Sequence, residues 1–265
     1  MTVFLHTLAQ AGYYSTGNDF FHGSHAALNG MYGDYTFIGV LILLVTMLLG
    51  GAVQMGLKSA FTRYSQERAP LTGAEVARRM LHQYGLDNVQ VISTPGRLTD
   101  HYNPVDRTVN LSESVYNEAS VAAMAVAAHE CGHAVQHACS YPWLGLRSTL
   151  VPMVNIGSRL GQVILFLGII LLAAGNSTAV AWVGLALYAS TTLFALVTLP
   201  VEFDASRRAL AWLRQSGFAD HAMHGQAGSA LRWAAMTYVA AALSSLAMLL
   251  YYALIILSRM NNNRE

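Results

Sequence analysis

Charged residues are scarce in this chain of 265 residues, because Asp, Glu, Lys and Arg together make up only 11%. An ordinary soluble domain carries about 25%. Hydrophobic residues make up 54%, which leaves too few polar groups to cover the surface of a soluble protein. The net charge of +1 gives no indication of nucleic-acid binding. The composition therefore favours a protein that lies largely in a lipid environment.

Cysteine is also rare, with only Cys131 and Cys139 in the chain. Both fall on one predicted helix, eight positions apart, so they are too distant to form a disulfide, and we interpret them as packing residues. Residues 1–36 contain no Lys or Arg, and their apolar run is short. This pattern predicts no cleavable signal peptide, so we expect the first long apolar stretch to act as an uncleaved anchor.

Long apolar stretches are the most prominent positive feature of the chain. A helix that spans a bilayer needs about 20 mostly apolar residues, and four stretches meet this requirement. The second and third are separated only by Asn176-Ser177-Thr178, which predicts a tight turn between antiparallel helices. We expect a mainly α membrane protein with about four transmembrane helices. The predicted spans are residues 36–57, 151–175, 179–199 and 234–258.

The distribution of Lys and Arg predicts the orientation of these spans. Eight basic residues lie in segment 58–150 and four in segment 200–233, whereas the tail 259–265 has two and the turn after the second span has none. Basic loops stay on the cytoplasmic side of a membrane. We therefore expect both basic segments in the cytoplasm, with the N-terminal segment 1–35 and the tail 259–265 outside.

Segment 58–150 has the pattern of a small α+β domain. Thr72 and Glu75 form a T-x-x-E capping box, and a run with high helix propensity extends over the Ala-rich region near its end. Turn residues separate short runs of strand-forming residues between these helices. The predicted elements are a strand at Val89–Ser93, a hairpin of Leu98–Tyr102 with Thr108–Leu111, and a helix from Glu118 to about Ala138 capped by Asn117.

This last helix carries the pattern His129-Glu130-Cys131-Gly132-His133. Residues at i and i+4 share one face of a helix, so two imidazoles can bind one metal ion there. Glu130 lies about 100° around the helix, beside such an ion, where a general base can take a proton from an activated water. H-E-x-x-H on a helix indicates the zinc site of a metallopeptidase.

A catalytic zinc needs a third protein ligand. His137 continues the i+4 series, but it lies about 12 Å of helix rise from His129, so it cannot share the ion on a straight helix. We expect it near the site or in solvent. Glu202 is the favoured ligand because it follows Pro200, which predicts a helix boundary at the cytoplasmic end of the third span. The weaker alternatives are Asp204, Glu113 and Glu118.

Several motifs together resemble the YugP-type family of bacterial membrane zinc metallopeptidases, over roughly residues 35–258. The motifs are Asp100-His101-Tyr102-Asn103-Pro104, Thr108-Val109-Asn110-Leu111-Ser112, the stretch from Ala127 to His137, and the stretch from Leu199 to Ser206. The family is similar in layout to HtpX-like and CAAX prenyl proteases. The resemblance implies a zincin-like catalytic domain and a multi-pass protein of the bacterial inner membrane.

The resemblance also implies residue roles. The glutamate of an E-[FY]-x-A-D helix is the third zinc ligand in the related proteases, which implies that role for Glu202. Ser206 stands where those relatives carry an aspartate that supports a zinc-binding histidine. Serine brings no charge, so we expect weaker support for the ligand.

These residues predict one Zn²⁺ per chain and hydrolysis of peptide bonds in membrane or unfolded proteins. Glu130 is the expected base, and the strand Thr108-Val109-Asn110-Leu111 is a candidate to pair with an extended substrate. The oxyanion of the reaction needs a further donor, for which His101, Tyr102 and Arg207 are candidates. The expected partners are a peptide or protein substrate and the lipid bilayer, and the pattern specifies no oligomeric state.

Two other interpretations remain at this point. The first is an intramembrane-cleaving metalloprotease, which generally takes its third ligand from an aspartate in a later span, and the third and fourth predicted spans contain no Asp. The second is a non-catalytic membrane scaffold that binds zinc. A structural zinc has no use for a base, so Glu130 counts against that interpretation.

Overall fold

The computed structural model of the chain describes residues 33–174 and 178–262. The predicted external segment 1–35 lies outside these ranges except for its last three residues, and so do Asn176 and Ser177 of the predicted turn. A π-helical turn, Gly157–Gly161, joins two of the helices. In chain order the elements are α1 (Gly33–Tyr64), α2 (Gly73–Gln83), β1 (Gln90–Thr94), β2 (His101–Asn103), β3 (Thr108–Ser112), α3 (Glu113–Tyr116), α4 (Val121–Ala138), α5 (Pro142–Ile156), α6 (Gln162–Ala173), α7 (Ala179–Ser216) and α8 (His221–Asn262).

Four helical stretches in the described ranges are long and apolar enough to cross a membrane. Large apolar side chains such as Phe37 and Leu48 are about 70% exposed along the first of them, as expected for residues that face lipid. The prediction of a mainly helical chain with about four apolar spans is confirmed. The stretches are Phe37–Tyr64, Pro142–Leu172, Ala179–Ser216 and His221–Met260.

The predicted helix boundary at Pro200 is wrong, because α7 continues through this residue to Ser216. Proline removes one backbone hydrogen bond from a helix, but membrane-spanning helices tolerate it where neighbouring groups compensate. The hydroxyl of Tyr141 also contacts this turn of α7, where it donates to the carbonyl of Pro200 at 3.5 Å. Glu202 therefore lies in the middle of a long helix, where its position is fixed by the packing of that helix.

The described chain divides into two compact units. The sheet-containing unit comprises Ala52–Ser148 and Val197–Val239. The helical unit comprises the described residues outside these two ranges. In the helical unit, Gly168 and Gly184 allow α6 and α7 to pack closely, since a Cβ at either position would lie 2.4 Å from the backbone of the other helix.

The sheet-containing unit has a hydrophobic core of buried side chains, most of them from α2, β3, α4, α7 and α8. Met80, Leu111, Met124 and Trp212 are its largest members. Helix α2 begins with the predicted capping box, in which Thr72 and Glu75 satisfy each other's backbone N–H groups. Because α4 packs within this core, sixteen consecutive residues of the helix, Val121 to Gln136, are buried.

The predicted start of α4 at Asn117 is wrong. Asn117 instead ends the short helix α3, and α4 begins at Val121 with Ser120 as its N-cap. The hydroxyl of Ser120 accepts a hydrogen bond from the backbone N–H of Ala123 at 3.2 Å. Serine and asparagine cap helices about equally well, so propensity alone could not separate the two positions.

The three strands form one sheet in the order β1-β3-β2. The predicted hairpin is confirmed, since β2 pairs antiparallel with β3, although the first strand is shorter than Leu98–Tyr102. Strand β1 lies one residue later than predicted and pairs parallel with the other edge of β3. The proposed substrate strand Thr108–Leu111 is buried and pairs with β1 along its length and with β2 from Thr108 to Asn110, which leaves no open edge along most of the strand.

Asp100 stabilises the end of the hairpin. It is buried, and its carboxylate accepts hydrogen bonds from the backbone N–H of Ser112 at 2.7 Å and from the Ser112 hydroxyl. Burial raises the pKa of Asp100 above its usual range, while the bonds from Ser112 oppose part of that shift. These contacts hold the start of β2 against the end of β3, close to the chain segment that leads into α4.

Candidate metal centre

Helices α4 and α7 approach each other closely at Gly132. A Cβ at this position would lie 2.6 Å from the backbone carbonyl oxygen of Ala205, so only glycine fits. His129 and His133 flank this glycine on α4, and Glu202 lies one turn before Ala205 on α7. The contact therefore brings the two imidazoles and the carboxylate together from positions about 70 residues apart in the sequence.

The three side chains offer ligand atoms that all lie within 4.8 Å of one another. Oε2 of Glu202 is 3.3 Å from Nε2 of His129 and 3.7 Å from Nε2 of His133. A tetrahedral zinc ion with bonds of about 2 Å separates its ligands by about 3.3 Å. Oε2 of Glu202 is fully buried and has no hydrogen-bond partner. A buried carboxylate oxygen between two imidazoles fits a metal ion.

The charges around the centre also favour a cation. Burial by itself lowers the pKa of His129, but the neighbouring carboxylates of Glu202 and Glu130 outweigh burial, and the net shift is upward. The same two negative charges that favour a proton on His129 favour a metal cation beside it. Cys131 is not a competing ligand, since its buried thiol is 3.6 Å from the carbonyl oxygen of Ala77, and burial raises its pKa well above its usual range.

Ser206 supports the first histidine. Its Oγ lies 3.1 Å from Nδ1 of His129, on the side of the ring opposite Glu202. Binding of a metal through Nε2 places the ring proton on Nδ1, which can then donate a hydrogen bond to Oγ of Ser206. Ser206 thus supplies a neutral acceptor for this ring, as expected from its position four residues after Glu202.

The second histidine is held by a residue that the sequence did not single out. Nδ1 of His133 lies 3.0 Å from Oε1 of Gln136, which is fully buried. The amide nitrogen of Gln136 then donates to the carbonyl of Val201 at 2.7 Å and to Oδ2 of Asp204 at 2.9 Å. Its i+3 spacing from His133 was the only available signal in the sequence, because its partners come from α7.

Asp204, the fallback ligand, is engaged elsewhere. Besides Gln136, its carboxylate accepts a short hydrogen bond from Arg207 and one of 2.6 Å from Nε of Arg208. Both carboxylate oxygens therefore already have cationic or amide donors. Asp204 stabilises the support of His133, and it is not a member of the metal-ligand cluster formed by His129, His133 and Glu202.

Glu130 lies next to the three candidate ligands. It is 2% exposed and lines a cavity of about 20 Å³ together with His129, Glu202 and Ser206. This volume is enough for about one water molecule. A carboxylate at this place can accept a proton from a water beside the metal, as the pattern on the helix predicts.

The remaining predicted site residues do not line this cavity. Tyr102 and His137 contact each other, with the tyrosine hydroxyl 2.9 Å from Nδ1 of the histidine. His101 contacts the carbonyl of Thr99 at 2.7 Å through Nδ1. The side chain of Arg207 is 76% exposed and pairs with Asp204. The alternative ligands Glu113 and Glu118 are exposed.

A family model described as "Putative neutral zinc metallopeptidase" matches residues 39–257, which is most of the chain. The chain belongs to this family. A curated relative, described as "Putative membrane protease YugP" from Bacillus subtilis (strain 168), is 42% identical over 226 residues, which cover 84% of this chain and 99% of the relative. No solved structure matches the chain.

Membership of the neutral zinc metallopeptidase family confirms the resemblance drawn from the motifs and implies zinc as the metal. The similarity to a membrane protease agrees with the four apolar helices, so this family member is a membrane protein. The candidate ligands His129, His133 and Glu202 all lie within the matched residues.

The hydrogen bond from His129 to Ser206 allows a test of whether Ser206 strengthens zinc binding in this metallopeptidase. We expect Ser206→Ala to weaken zinc binding about 10- to 100-fold, the usual effect of removing a partner of a ligating histidine. Ser206→Asp should bind zinc at least as tightly as the wild type, because a carboxylate accepts the same bond with a charge. Competition with a zinc-chelating dye measures the zinc affinities of both variants.

A matched control is Ser190→Ala in the same helix. Ser190 is buried to a similar extent, and its hydroxyl donates to the carbonyl of Leu187. This variant should bind zinc as the wild type does. Equal zinc affinities for Ser206→Ala and Ser190→Ala would show that Ser206 does not support the ligand.

Proposed function

We propose that this protein is a membrane-bound, zinc-dependent endopeptidase with a single zinc ion held by His129, His133 and Glu202. The observation that carries the proposal is the convergence of ligand atoms of these three side chains within 4.8 Å, with Glu130 at a cavity that His129 and Glu202 also line. Two imidazoles and one carboxylate are a ligand set that catalytic zinc sites use, with one position left open for the reaction.

Hydrogen bonds hold the two histidine rings in a fixed orientation. Ser206 orients the ring of His129, and Gln136 orients the ring of His133, so that both Nε2 atoms face Glu202. When bound, the zinc ion supplies a Lewis acid that polarises the substrate carbonyl and makes a neighbouring water more acidic. Because all three ligands are buried, bulk water has little access to the centre.

Glu130 acts as the general base and then as the general acid. Its carboxylate takes a proton from the attacking water while the water oxygen bonds to the carbonyl carbon of the scissile peptide. The same carboxyl then delivers this proton to the amide nitrogen as the carbon–nitrogen bond breaks. A single glutamate between the water and the leaving nitrogen is sufficient for both transfers, and no other described carboxylate besides Glu202 lines the cavity.

We infer that the substrates are membrane proteins or unfolded proteins, cleaved on the cytoplasmic side of a bacterial inner membrane. Apolar side chains such as Val126 and Leu231 surround the cavity next to Glu130, and the chain has four apolar helices long enough to cross a membrane, so the centre belongs to a largely apolar protein. The cytoplasmic orientation follows from the excess of Lys and Arg in segments 58–150 and 200–233, both of which contribute to the centre.

Removal and replacement of the metal tests the proposal. The detergent-purified protein should cleave fluorescently labelled β-casein, lose this activity on dialysis against a chelator, and regain it when one equivalent of Zn²⁺ is added. Mg²⁺ should not restore the activity, because it prefers oxygen ligands to imidazole. A protein that contains one zinc per chain yet cleaves neither casein nor detergent-solubilised membrane proteins would contradict the proposal.

A further inference from the structure

The side-chain amide of Gln136 has one orientation that its surroundings allow. Gln136 is fully buried, and its Nε2 lies 2.7 Å from the carbonyl oxygen of Val201 and 2.9 Å from Oδ2 of Asp204. A carbonyl and a carboxylate accept hydrogen bonds and cannot donate them, so both must face the NH2 group. The opposite orientation would place the amide oxygen against two acceptors and leave buried polar groups unsatisfied. The amide oxygen therefore faces His133.

This orientation assigns the ring proton of His133. Nδ1 of His133 lies 3.0 Å from Oε1 of Gln136, and an amide oxygen can only accept, so Nδ1 carries a proton. In the neutral ring, Nε2 is then the nitrogen with a lone pair for a metal ion, and it lies 3.7 Å from Oε2 of Glu202. The hydroxyl of Ser206 can donate or accept, so the partner of His129 does not select a tautomer in this way.

Asp204 places a negative charge behind this amide. The residue is buried, and both Arg207 and Arg208 donate hydrogen bonds to its carboxylate. Two neighbouring guanidinium groups favour the ionised form of the acid. Hydrogen bonds that run in series polarise one another, so a charge on Asp204 strengthens the bond from His133 to Gln136.

The same turn of α7 supplies a candidate metal ligand and both acceptors for Gln136. Val201, Glu202 and Asp204 all lie within one helical turn. Glu202 contacts the Nε2 side of the His133 ring, while Val201 and Asp204 act on the Nδ1 side through the amide. Both edges of this ring are therefore set by one short segment of α7.

We propose that Asp204 is a positioning residue of the metal centre: it holds the Gln136 amide with its oxygen toward His133, and its charge acts through that amide to strengthen zinc binding at Nε2. This inference rests on the proposed function, because it takes His133 as a zinc ligand. Carboxylate support of a ligating histidine raises the basicity of the nitrogen that binds the metal. His133 receives this support through one intervening amide, whereas Ser206 gives His129 a neutral partner.

The first test compares Asp204→Asn with Arg207→Gln as full-length proteins in detergent, with zinc affinity measured by competition with a chelating dye. Asparagine has nearly the shape of aspartate and can still accept a bond from Gln136, but it carries no charge. We expect Asp204→Asn to weaken zinc binding about 10-fold, the lower end of the usual effect, because the acceptor remains. Arg207→Gln leaves the bonds of Arg208 and Gln136 to Asp204 in place, so it should bind zinc as the wild type does.

A double-mutant cycle tests whether Asp204 acts through Gln136. Gln136→Met removes the amide at similar size and should weaken zinc binding about 10- to 100-fold. Once the amide is absent, the charge on Asp204 has no route to His133. Asp204→Asn/Gln136→Met should therefore bind zinc within about threefold of Gln136→Met alone. A role of Asp204 only in packing α7 against α4 predicts instead that the two losses multiply, and this result would overturn the proposal.

A spectroscopic readout follows the ring proton itself. NMR of the zinc-loaded protein, labelled with 15N in histidine, should show a protonated Nδ1 at His133, whose resonance is identified by its change in Gln136→Met. In Asp204→Asn this proton should move upfield, because its hydrogen bond weakens when the amide is less polarised. A wild-type His133 without a proton on Nδ1 would contradict the orientation of the amide. An unmoved resonance or an unchanged zinc affinity in Asp204→Asn would contradict the role of its charge, and so would an equal loss of zinc affinity in Arg207→Gln.

Failure of the proposed function would look different, since neither zinc affinity nor the ring resonance depends on cleavage. A protein that binds zinc with these variant effects but cleaves no casein would lose the peptidase function and keep the role of Asp204. An active enzyme whose Asp204→Asn variant binds zinc like the wild type would keep the peptidase function and lose only that role.

Discussion

Glu202→Ala should lose its zinc. Glu202 supplies the carboxylate oxygen that lies 3.3 Å and 3.7 Å from the two imidazole nitrogens. Without it, two histidines remain, which is one ligand fewer than catalytic zinc sites use. Removing a partner of a ligand costs about 10- to 100-fold in affinity, so removing the ligand itself should cost more than about 100-fold. Elemental analysis of the purified protein after dialysis measures the effect.

The matched control is Glu113→Ala, which removes an exposed carboxylate in the same sheet-containing unit. This variant should keep one zinc per chain. Asp204→Ala gives a useful contrast, because it breaks the hydrogen bonds to Gln136 and Arg208 but leaves the three candidate ligands in place. Full zinc content in Glu202→Ala would mean that the third ligand is another residue.

Glu130→Gln should keep its zinc and lose most of its peptidase activity. The amide has almost the shape of the carboxylate, so the packing of this buried side chain is preserved. An amide cannot accept the proton of the attacking water, and general base catalysis contributes about 10²- to 10⁴-fold. We expect kcat for β-casein to fall by this factor at unchanged zinc content.

Glu118→Gln is the control for this second variant. Glu118 is exposed and lies just before the same helix, so the substitution removes one negative charge without touching the cavity. It should cleave casein at the wild-type rate. If Glu130→Gln also cleaved at that rate while its zinc content was normal, Glu130 could not be the base.

The parts of the site that the sequence predicted are those governed by local geometry. His129, Glu130 and His133 follow from helical spacing, and the capping box of Thr72 follows from short-range hydrogen bonding. The placement of Glu202 near them came from charge distribution and family resemblance. The four apolar stretches were visible because the thickness of a bilayer sets a minimum length for a spanning helix.

The parts that could not be predicted depend on packing between distant elements. The sequence of β3 does not reveal that it lies between two other strands, so this position in the sheet became clear only from the strand order. Pro200 predicted a boundary because intrinsic propensity disfavours proline in helices, and the continuous helix α7 overrides that propensity. Gln136 gains its importance only because Val201 and Asp204 lie opposite it.

X-ray absorption spectroscopy at the zinc edge, applied to the purified wild-type protein, tests the metal centre most directly. The site of His129, His133 and Glu202 predicts only nitrogen and oxygen neighbours at about 2.0–2.2 Å, two of them with the outer-shell scattering of imidazole. Glu202→Ala, reloaded with excess zinc, should keep the scattering of two imidazoles, with water oxygen in place of the carboxylate. A sulfur neighbour at about 2.3 Å, or four imidazoles, would contradict the assignment, because the first requires a cysteine ligand and the second a closed structural site.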